Sequence, residues 1–389
     1  MAAITVFADD LTGALDAGVK FTGGGRRVVV AWHAAQPDCD VLAFDSSTRE
    51  TEPPVAAAQM AGWALRATGF VYKKMDSTLR GPFVAESLAL AAALGCNGVL
   101  FAPASPGSGR CVVGGRLLVH DRPLEQTAFW RDPRWPVSTG DLLACIGCAY
   151  PAKPALLDLD CVRRGAQVVA QELVSLSGVV VADAESDSDL DVLAQALLMV
   201  DGWLPVGSAG LAGAIARALG WKAEPALRST ARPELVVCGS SHPVSREQVL
   251  RLAAFAAIVP LEARAGGAGA LAGAAGEACA ARGLAAMAMP QEQQSTAEAA
   301  AALTAMADAA VAVLRQLGLG CVFVTGGKTL RLLADRLGLH TLHLVTELNP
   351  GVVLSRGETD DGRRLLVISK AGGFGDPDLL VRLASEHGT

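Results

Sequence analysis

Short apolar runs alternate with stretches of helical period along most of the chain. Ile4–Ala8 is the first apolar run. Polar Asp9, Asp10 and Thr12 follow it, and Gly13 lets the chain turn into a helix over 14–21. The pattern next predicts strands at 27–32 and 40–45, a helix at 59–67, and a strand running into a polar loop at 69–76. A helix at 83–94 and another strand-to-loop passage at 98–104 complete this stretch. Residues 105–160, rich in Pro, Gly and Arg, break the rhythm. A helix at 165–176, a strand at 178–183 and a helix at 189–200 restore it, and 203–219 reads as strand, glycine turn and helix. Strands alternating with helices of about 10–15 residues indicate α/β architecture with a parallel sheet.

Residues 222–234, KAEPALRSTARPE, carry two prolines, mixed charge and no apolar period, which marks a linker. The chain therefore divides into domains at 1–225 and 233–389. In the second, a strand at 235–241, a helix at 243–254 and a strand at 256–261 lead into the Ala/Gly stretch 265–276, expected as a flexible turn. A helix at 297–317 follows, then strand, glycine turn and helix over 320–338. A strand at 340–348 precedes a loop, NPGVV, and 365–385 repeats strand, glycine turn and helix. Both halves read as α/β domains with mostly parallel sheets. No solenoid period is present.

Composition narrows the function. The net charge of −6 argues against broad nucleic-acid binding, which needs a basic field, yet leaves room for a local cationic pocket. Charged residues make up 19% against 51% hydrophobic, which excludes a disordered chain. Mean hydropathy is high at +0.36. Still, no run of about 18 apolar residues lacks a charge or a Gly-rich break, and Glu298 and Asp308 interrupt the nearest one, 297–314. No membrane partner is expected. Asp9 and Asp10 stand where the apolar core of a secretory signal would continue, with no basic region before them. The nine cysteines, an odd count scattered from Cys39 to Cys321, fit reduced cytosolic thiols better than a disulfide framework. The expectation is a cytoplasmic protein whose apolar composition leaves room for a homodimer interface.

Three polar loops follow strands of the first half. Asp9 and Asp10 stand beyond a strand's carboxyl end, where ligands bind in open α/β sheets. Paired carboxylates there suit a metal, a general base or sugar hydroxyls; the plainer reading is that one Asp caps the next helix. Lys73-Lys74-Met75-Asp76-Ser77-Thr78-Leu79-Arg80-Gly81 puts two lysines, an Asp and an Arg in one loop. This is a cationic pocket for a small carboxylate or phosphate, or else a solvated loop. Ser46-Ser47-Thr48-Arg49 adds hydroxyls and another Arg.

The second half carries three glycine turns after apolar strands: Gly239-Ser240-Ser241, Gly326-Gly327-Lys328-Thr329 and Gly372-Gly373-Phe374-Gly375. Strand, glycine turn and helix bring backbone N–H groups and a helix N-terminus to one point, which favours phosphate. Glycine also ends strands for steric reasons, so the weight lies in having three. GGKT is not a P-loop, because the first glycine of that motif would fall at Val322. The Gly267-Ala268-Gly269 stretch does not open a βα unit as a dinucleotide site requires. Cys145 and Cys148 lack the further ligands of a zinc site, and His340 and His343 would face opposite sides of a strand. His242, beside Gly239-Ser240-Ser241, is the histidine placed near a nucleotide.

Taken together, ADDLTGALD (8–16), SSTRE (46–50), KKMDSTLRG (73–81), APASPGSGR and GGRLLVHDRPLEQTAF (102–129), VGSAGLA (206–212), CGSSHPVSREQ (238–248), TGGKT (325–329), ELNPGVV (347–353) and KAGGFG (370–375) resemble the four-carbon acid sugar kinases. The likeness spans nearly the whole chain, and the KKMDSTLRG form resembles the threonate and erythronate branch rather than the 3-oxo-tetronate kinases. It implies an N-terminal acid-sugar-binding domain, a C-terminal ATP-binding domain and an active site in a cleft between them. It also implies transfer of the ATP γ-phosphoryl, with Mg²⁺, to the 4-hydroxyl of a four-carbon sugar acid, D-threonate first. Two departures stand out: Lys328 occupies a position where the family usually has an acid, and KAGGFG replaces the usual KSGNFG.

On that resemblance Arg49, Lys74 and Arg80 are expected to clamp the substrate carboxylate, while Asp9, Asp10 and Asp76 hold hydroxyls. Thr12, Lys73 and Met75 complete the substrate set. Asp10 is the expected base for the attacking hydroxyl. Ser240, Gly326, Gly327, Lys328, Thr329, Gly351 and Gly372 are expected to line the ATP site. Two other readings of the same residues are a sugar-acid-binding protein without turnover, and a lyase or aldolase using Lys73 or Lys74 as a Schiff-base amine.

Overall fold

The computed structural model describes residues 2–33, 37–131, 137, 139–150, 152–221, 231–256, 261–262, 267–290 and 295–385. The chain divides into two compact units, Met1–Glu224 and Pro225–Thr389. Most of the expected linker, 222–230, lies outside the described residues.

In the first unit β1 (Ile4–Ala8), α1 (Leu11–Gly18), β2 (Val28–Ala31), β3 (Val41–Asp45), α2 (Pro53–Ala64), β4 (Phe70–Lys74), α3 (Phe83–Leu94) and β5 (Gly98–Ala102) alternate as the pattern predicts. The rhythm-breaking segment folds as a small antiparallel sheet, β6 (Arg110–Val113), β7 (Arg116–Val119) and β8 (Arg122–Pro123), followed by the short helix α4 (Leu142–Gly147). Then come β9 (Ala155–Leu157), α5 (Leu159–Val162), α6 (Ala166–Ser175), β10 (Gly178–Ala182), α7 (Asp187–Leu197), β11 (Trp203–Gly207) and α8 (Ala209–Ala218). The main strands lie in the order β2-β3-β1-β4-β11-β5-β10-β9, all parallel. Helices cover both faces of such a sheet, so strands β1, β3 and β5 are buried along their whole length and read as nearly continuous apolar runs. β11, the last strand of this unit in sequence, is inserted between β4 and β5. Because β3, β1 and β4 are neighbours, three loops far apart in sequence emerge side by side at their carboxyl ends.

Helix boundaries move for local reasons. α1 starts at Leu11 rather than 14, because the Asp10 carboxylate accepts from Gly13 N and caps it. α2 starts at Pro53 rather than 59, since proline suits the first helical position.

The second unit contains β12 (Leu235–Cys238), α9 (Pro243–Ala256), β13 (Leu261–Glu262), α10 (Ala268–Arg282), β14 (Ala285–Ala288), α11 (Thr296–Leu317), β15 (Cys321–Thr325), α12 (Gly327–Arg336), β16 (Thr341–Asn349), β17 (Val352–Glu358), β18 (Arg364–Lys370) and α13 (Leu379–Ser385). Its strands run β13-β14-β12-β15-β18-β17-β16. The first five are parallel, and β17 is antiparallel to both β18 and β16. Here β12, β15 and β18 are the neighbours, and each ends in one of the three glycine turns.

Three expectations change. From Ala268 on, the Ala/Gly stretch is helix α10, not a turn, and 265–266 lie outside the described residues: alanine is the best helix former, and Leu271, Ala275 and Cys279 at four-residue spacing form its buried stripe. The loop after 348 is only the tip of the β16–β17 hairpin, whose second strand alternates buried and exposed toward its end. The strand at 256–261 is reduced to Leu261–Glu262; Ala256 still belongs to α9, and 257–260 lie outside the described residues. α11 is long and apolar enough to cross a membrane by length and composition, but half of its most apolar window is buried within the protein, packed against α10 and α12.

Candidate active site

The first unit gathers charge at the carboxyl ends of β1, β3 and β4. Arg49 is the hub. Its Nε and Nη2 fork the Asp9 carboxylate at 2.9 and 2.8 Å. Nη2 also lies 2.8 Å from Asp10 Oδ1 and 3.8 Å from Asp76 Oδ1. Arg80 forks Asp76 through Nε and Nη2, both at 2.9 Å. The Asp9 carbonyl accepts from the N–H groups of Thr48 and Arg49, which locks the second loop onto the first. Thr12 Oγ1 donates to Asp10 Oδ2 at 2.6 Å, and Lys74 Nζ donates to the Met75 carbonyl at 2.8 Å.

These groups perturb one another strongly. Burial pushes the Asp9 carboxyl up, but Arg49, Lys73 and Lys74 outweigh it and hold it below its ordinary value. Burial likewise opposes ionisation of Asp76, and Arg80, Arg49 and Lys74 hold its carboxyl well below the usual range. For Arg49, burial is outweighed by Asp10, Asp9 and Asp76, which keep the guanidinium firmly charged. Of the three carboxylates, Asp10 is the most exposed, with 19% of its side chain accessible against 1% for Asp9 and 10% for Asp76. The capping role and the charged role therefore fall on the same residue.

Lys73 and Met75 are placed differently from the rest of the expected substrate set. The Lys73 side chain is fully buried, its ammonium 2.8 Å from the equally buried Glu86 on α3 and donating to the Lys74 carbonyl at 2.9 Å. That seat closes the Schiff-base reading for Lys73, because a carbonyl substrate needs access to the amine. The Met75 side chain is also fully buried, leaving its carbonyl to engage Lys74. Glu86 was not legible as a site residue. It also accepts from Thr48 Oγ1, and Ser46 Oγ lies 2.7 Å from that hydroxyl. One buried carboxylate thus ties the floor of two loops together.

In the second unit the glycine turns converge. A β-carbon on Gly239 would overlap Thr329 Oγ1, and one on Gly372 would overlap Ser240 Oγ, so the three turns touch where side chains are missing. Gly326 caps α12, placing Gly327, Lys328 and Thr329 in its first turn; Thr329 is buried and Lys328 exposed. Gly351, at φ +72°, sits at the hairpin tip where a β-carbon would enter the Phe374 ring. Glu347 Oε1 accepts from Gly351 N at 2.8 Å. His242 stands by the same turns, its Nδ1 accepting from Val244 N at 3.2 Å. Gln248 holds the 371–376 loop through the Phe374 and Asp376 carbonyls. Neither Gln248 nor Lys370, discussed below, was expected from the sequence pattern; both work through backbone carbonyls, which side-chain motifs do not reveal. Among the described residues, no group of three or more His, Cys, Asp or Glu side chains is placed to hold a metal.

Comparison with known proteins matches the same division. Residues 4–215 match the family of sugar-binding N-terminal domains, and residues 235–380 match the nucleotide-binding C-terminal domains. The chain is 32% identical to the D-threonate kinase of Bordetella bronchiseptica over 403 residues, covering 98% of this chain and 96% of the relative. It is 30% identical to the 3-oxo-tetronate kinase of Methylobacterium radiotolerans over 418 residues, covering 98% of each. A crystal structure of a Bordetella bronchiseptica protein, described as a domain-swapped dimer with bound citrate, is 30% identical, covers 98% of each chain and superposes with a TM-score of 0.50.

Proposed function

We infer the function from one premise: the chain belongs to the four-carbon acid sugar kinases, built from a sugar-binding N-terminal domain and a nucleotide-binding C-terminal domain. The acceptor we propose is D-threonate, phosphorylated by ATP on its 4-hydroxyl. D-erythronate and 3-oxo-tetronates are the alternatives. The observation that carries this reading is the cluster of Arg49, Arg80 and Lys74 interleaved with Asp9, Asp10 and Asp76. It combines cations for one carboxylate with acceptors for several hydroxyls, which is the chemistry of a sugar acid.

Arg49 commits Nε and Nη2 to carboxylates, and a guanidinium carries five N–H donors, so it can hold the substrate carboxylate beside Asp9. Lys74 and Arg80 add charge, and Asp76 accepts from a hydroxyl. Asp10, the most exposed carboxylate, orients the 4-hydroxyl and takes its proton. The hydroxyl oxygen then forms a bond to the γ-phosphorus as the bond to the β–γ bridging oxygen breaks, and ADP leaves. Such a transfer depends on positioning and charge neutralisation more than on covalent catalysis by the protein. Ser240, Gly326, Gly327, Lys328, Thr329, Gly351 and Gly372 would line the ATP site, with backbone N–H groups at the start of α12 facing phosphate. Mg²⁺ fits as a partner of phosphate oxygens and water rather than of a protein cage, and would neutralise charge on the phosphates. All nine cysteines are free thiols, in keeping with a cytoplasmic setting. The domain-swapped relative supports a homodimer, which light scattering would test.

The test is ADP release with ATP and Mg²⁺ against D- and L-threonate, D- and L-erythronate and 3-oxo-tetronates, with the product confirmed by mass. Turnover led by D-threonate is expected. ATP binding without any phosphorylated product would overturn the kinase assignment of this site.

A further inference from the structure

The ammonium of Lys370 lies beneath the third glycine turn. Lys370 ends β18 and is 1% exposed. Its Nζ donates to Ser245 Oγ at 3.0 Å, to the Gly372 carbonyl at 3.1 Å and to the Ala371 carbonyl at 3.3 Å. Ser245 Oγ in turn donates to the Gly372 carbonyl at 2.6 Å.

The C=O and N–H of a trans peptide unit point in opposite directions. Pinning the Ala371 and Gly372 carbonyls inward therefore aims the N–H groups of Gly372 and Gly373 away from the ammonium. Successive N–H groups pointing one way form a concavity for an anion. Phe374 N closes the turn on the Ala371 carbonyl at 3.2 Å. The two side chains that differ from the usual family loop, at 371 and 373, take no part in this arrangement.

We propose that Lys370 is the positioning residue of the nucleotide phosphate site: it fixes the backbone whose N–H groups receive phosphate, and it stands behind them as a buried positive charge. The proposal rests on the reading that these turns hold ATP. Lys370 need not touch the nucleotide.

Burial pushes the Lys370 ammonium down to about 8, with Cys238 acting in the other direction. The titratable group that acts on it is Cys238 on β12, whose thiol burial pushes up; Arg246 on α9 acts on Cys238, and His242, just before that helix, lies against Gly372 and Gly373. Bound phosphate favours the charged amine and so raises its pKa in the complex. Affinity is then full below about pH 8 and is lost as pH rises toward the value in the complex. Each unit of that rise corresponds to about a tenfold change in Kd.

The experiment is calorimetric titration of ADP, with Mg²⁺, into the full chain between pH 7 and 9.5, above the second ionisation of the terminal phosphate. For the wild type, Kd should rise about tenfold across this window. Lys370→Arg should stay flat, and Lys370→Met should start about tenfold weaker and also stay flat. Should Lys370→Met not fold, Ser245→Ala removes the second pin on Gly372 and should raise Kd about threefold. A flat wild-type profile, or a Lys370→Met profile matching wild type, overturns the proposal while leaving the nucleotide site intact. Failure of the wild type to bind ADP at any pH overturns the nucleotide reading and this proposal with it.

Discussion

Replacing Lys73 with Met should test whether the floor of the proposed sugar-acid site is held by a buried charge pair. Lys73 and Glu86 are both fully buried, with their charges 2.8 Å apart. Methionine conserves most of the volume, so the cavity contribution is small. What remains is a buried carboxylate stripped of its ammonium and left with the Thr48 hydroxyl. Breaking a buried pair from one side costs about 3–5 kcal/mol. For a unit of this size each kcal/mol moves Tm by about 2–4 °C, so the expected fall is about 6–20 °C. The double variant Lys73→Met/Glu86→Gln removes both charges and keeps the Thr48 contact, so it should recover at least about half of the loss. Urea and thermal unfolding of the full chain, followed by circular dichroism at pH 7, would measure both. A loss below about 1 kcal/mol for the single variant, or a double variant no better than the sum of the two singles, would refute the reasoning.

Asp10→Asn should lower kcat by at least about 100-fold while KM for ATP moves by less than about twofold, measured by ADP release; unchanged turnover would remove Asp10 from proton transfer. Arg80→Ala should raise KM for the acid sugar about tenfold and spare KM for ATP, and an equal rise for both would contradict its assignment to the substrate carboxylate. Gly372→Ala would drive a β-carbon into Ser240 Oγ, so KM for ATP should rise about tenfold at constant KM for the sugar acid. Asp9 and Asp76 both have depressed carboxyl values. Their contribution to stability is full above the unfolded carboxylate value near 4 and is lost as pH falls through the folded values. The urea midpoint should therefore drop steeply below about pH 4, and less so in Asp76→Asn; a midpoint flat down to about pH 2.5 would be inconsistent with these pairs.

The α/β alternation was legible because fully buried parallel strands leave nearly continuous apolar runs such as ITVFA and VLAFD. The three charged loops were legible because each follows such a run, and the order of strands then makes them neighbours. Helix α10 was hidden by composition: alanine and glycine give no contrast between a buried and an exposed face. β17 was hidden because its first residues continue the apolar loop seen after 348. Glu86 and Lys370 were hidden for a different reason. Each is a charged residue in an apolar segment, and only the tertiary structure reveals the partner that makes its burial tolerable.

The position of β11 has a consequence for how the first unit is made. This strand, the last of the unit's strands to leave the ribosome, fills the gap between β4 and β5, which both precede it by a long stretch of chain. Until it arrives, two interior strand edges stand open in the nascent chain. At ordinary synthesis rates the stretch from Lys74 to Gly207 takes roughly 7–27 s. Open edges on apolar strands are templates for pairing with other chains. Dependence on chaperones during synthesis, and aggregation of fragments that stop short of Trp203, follow from a topology that completes its middle last.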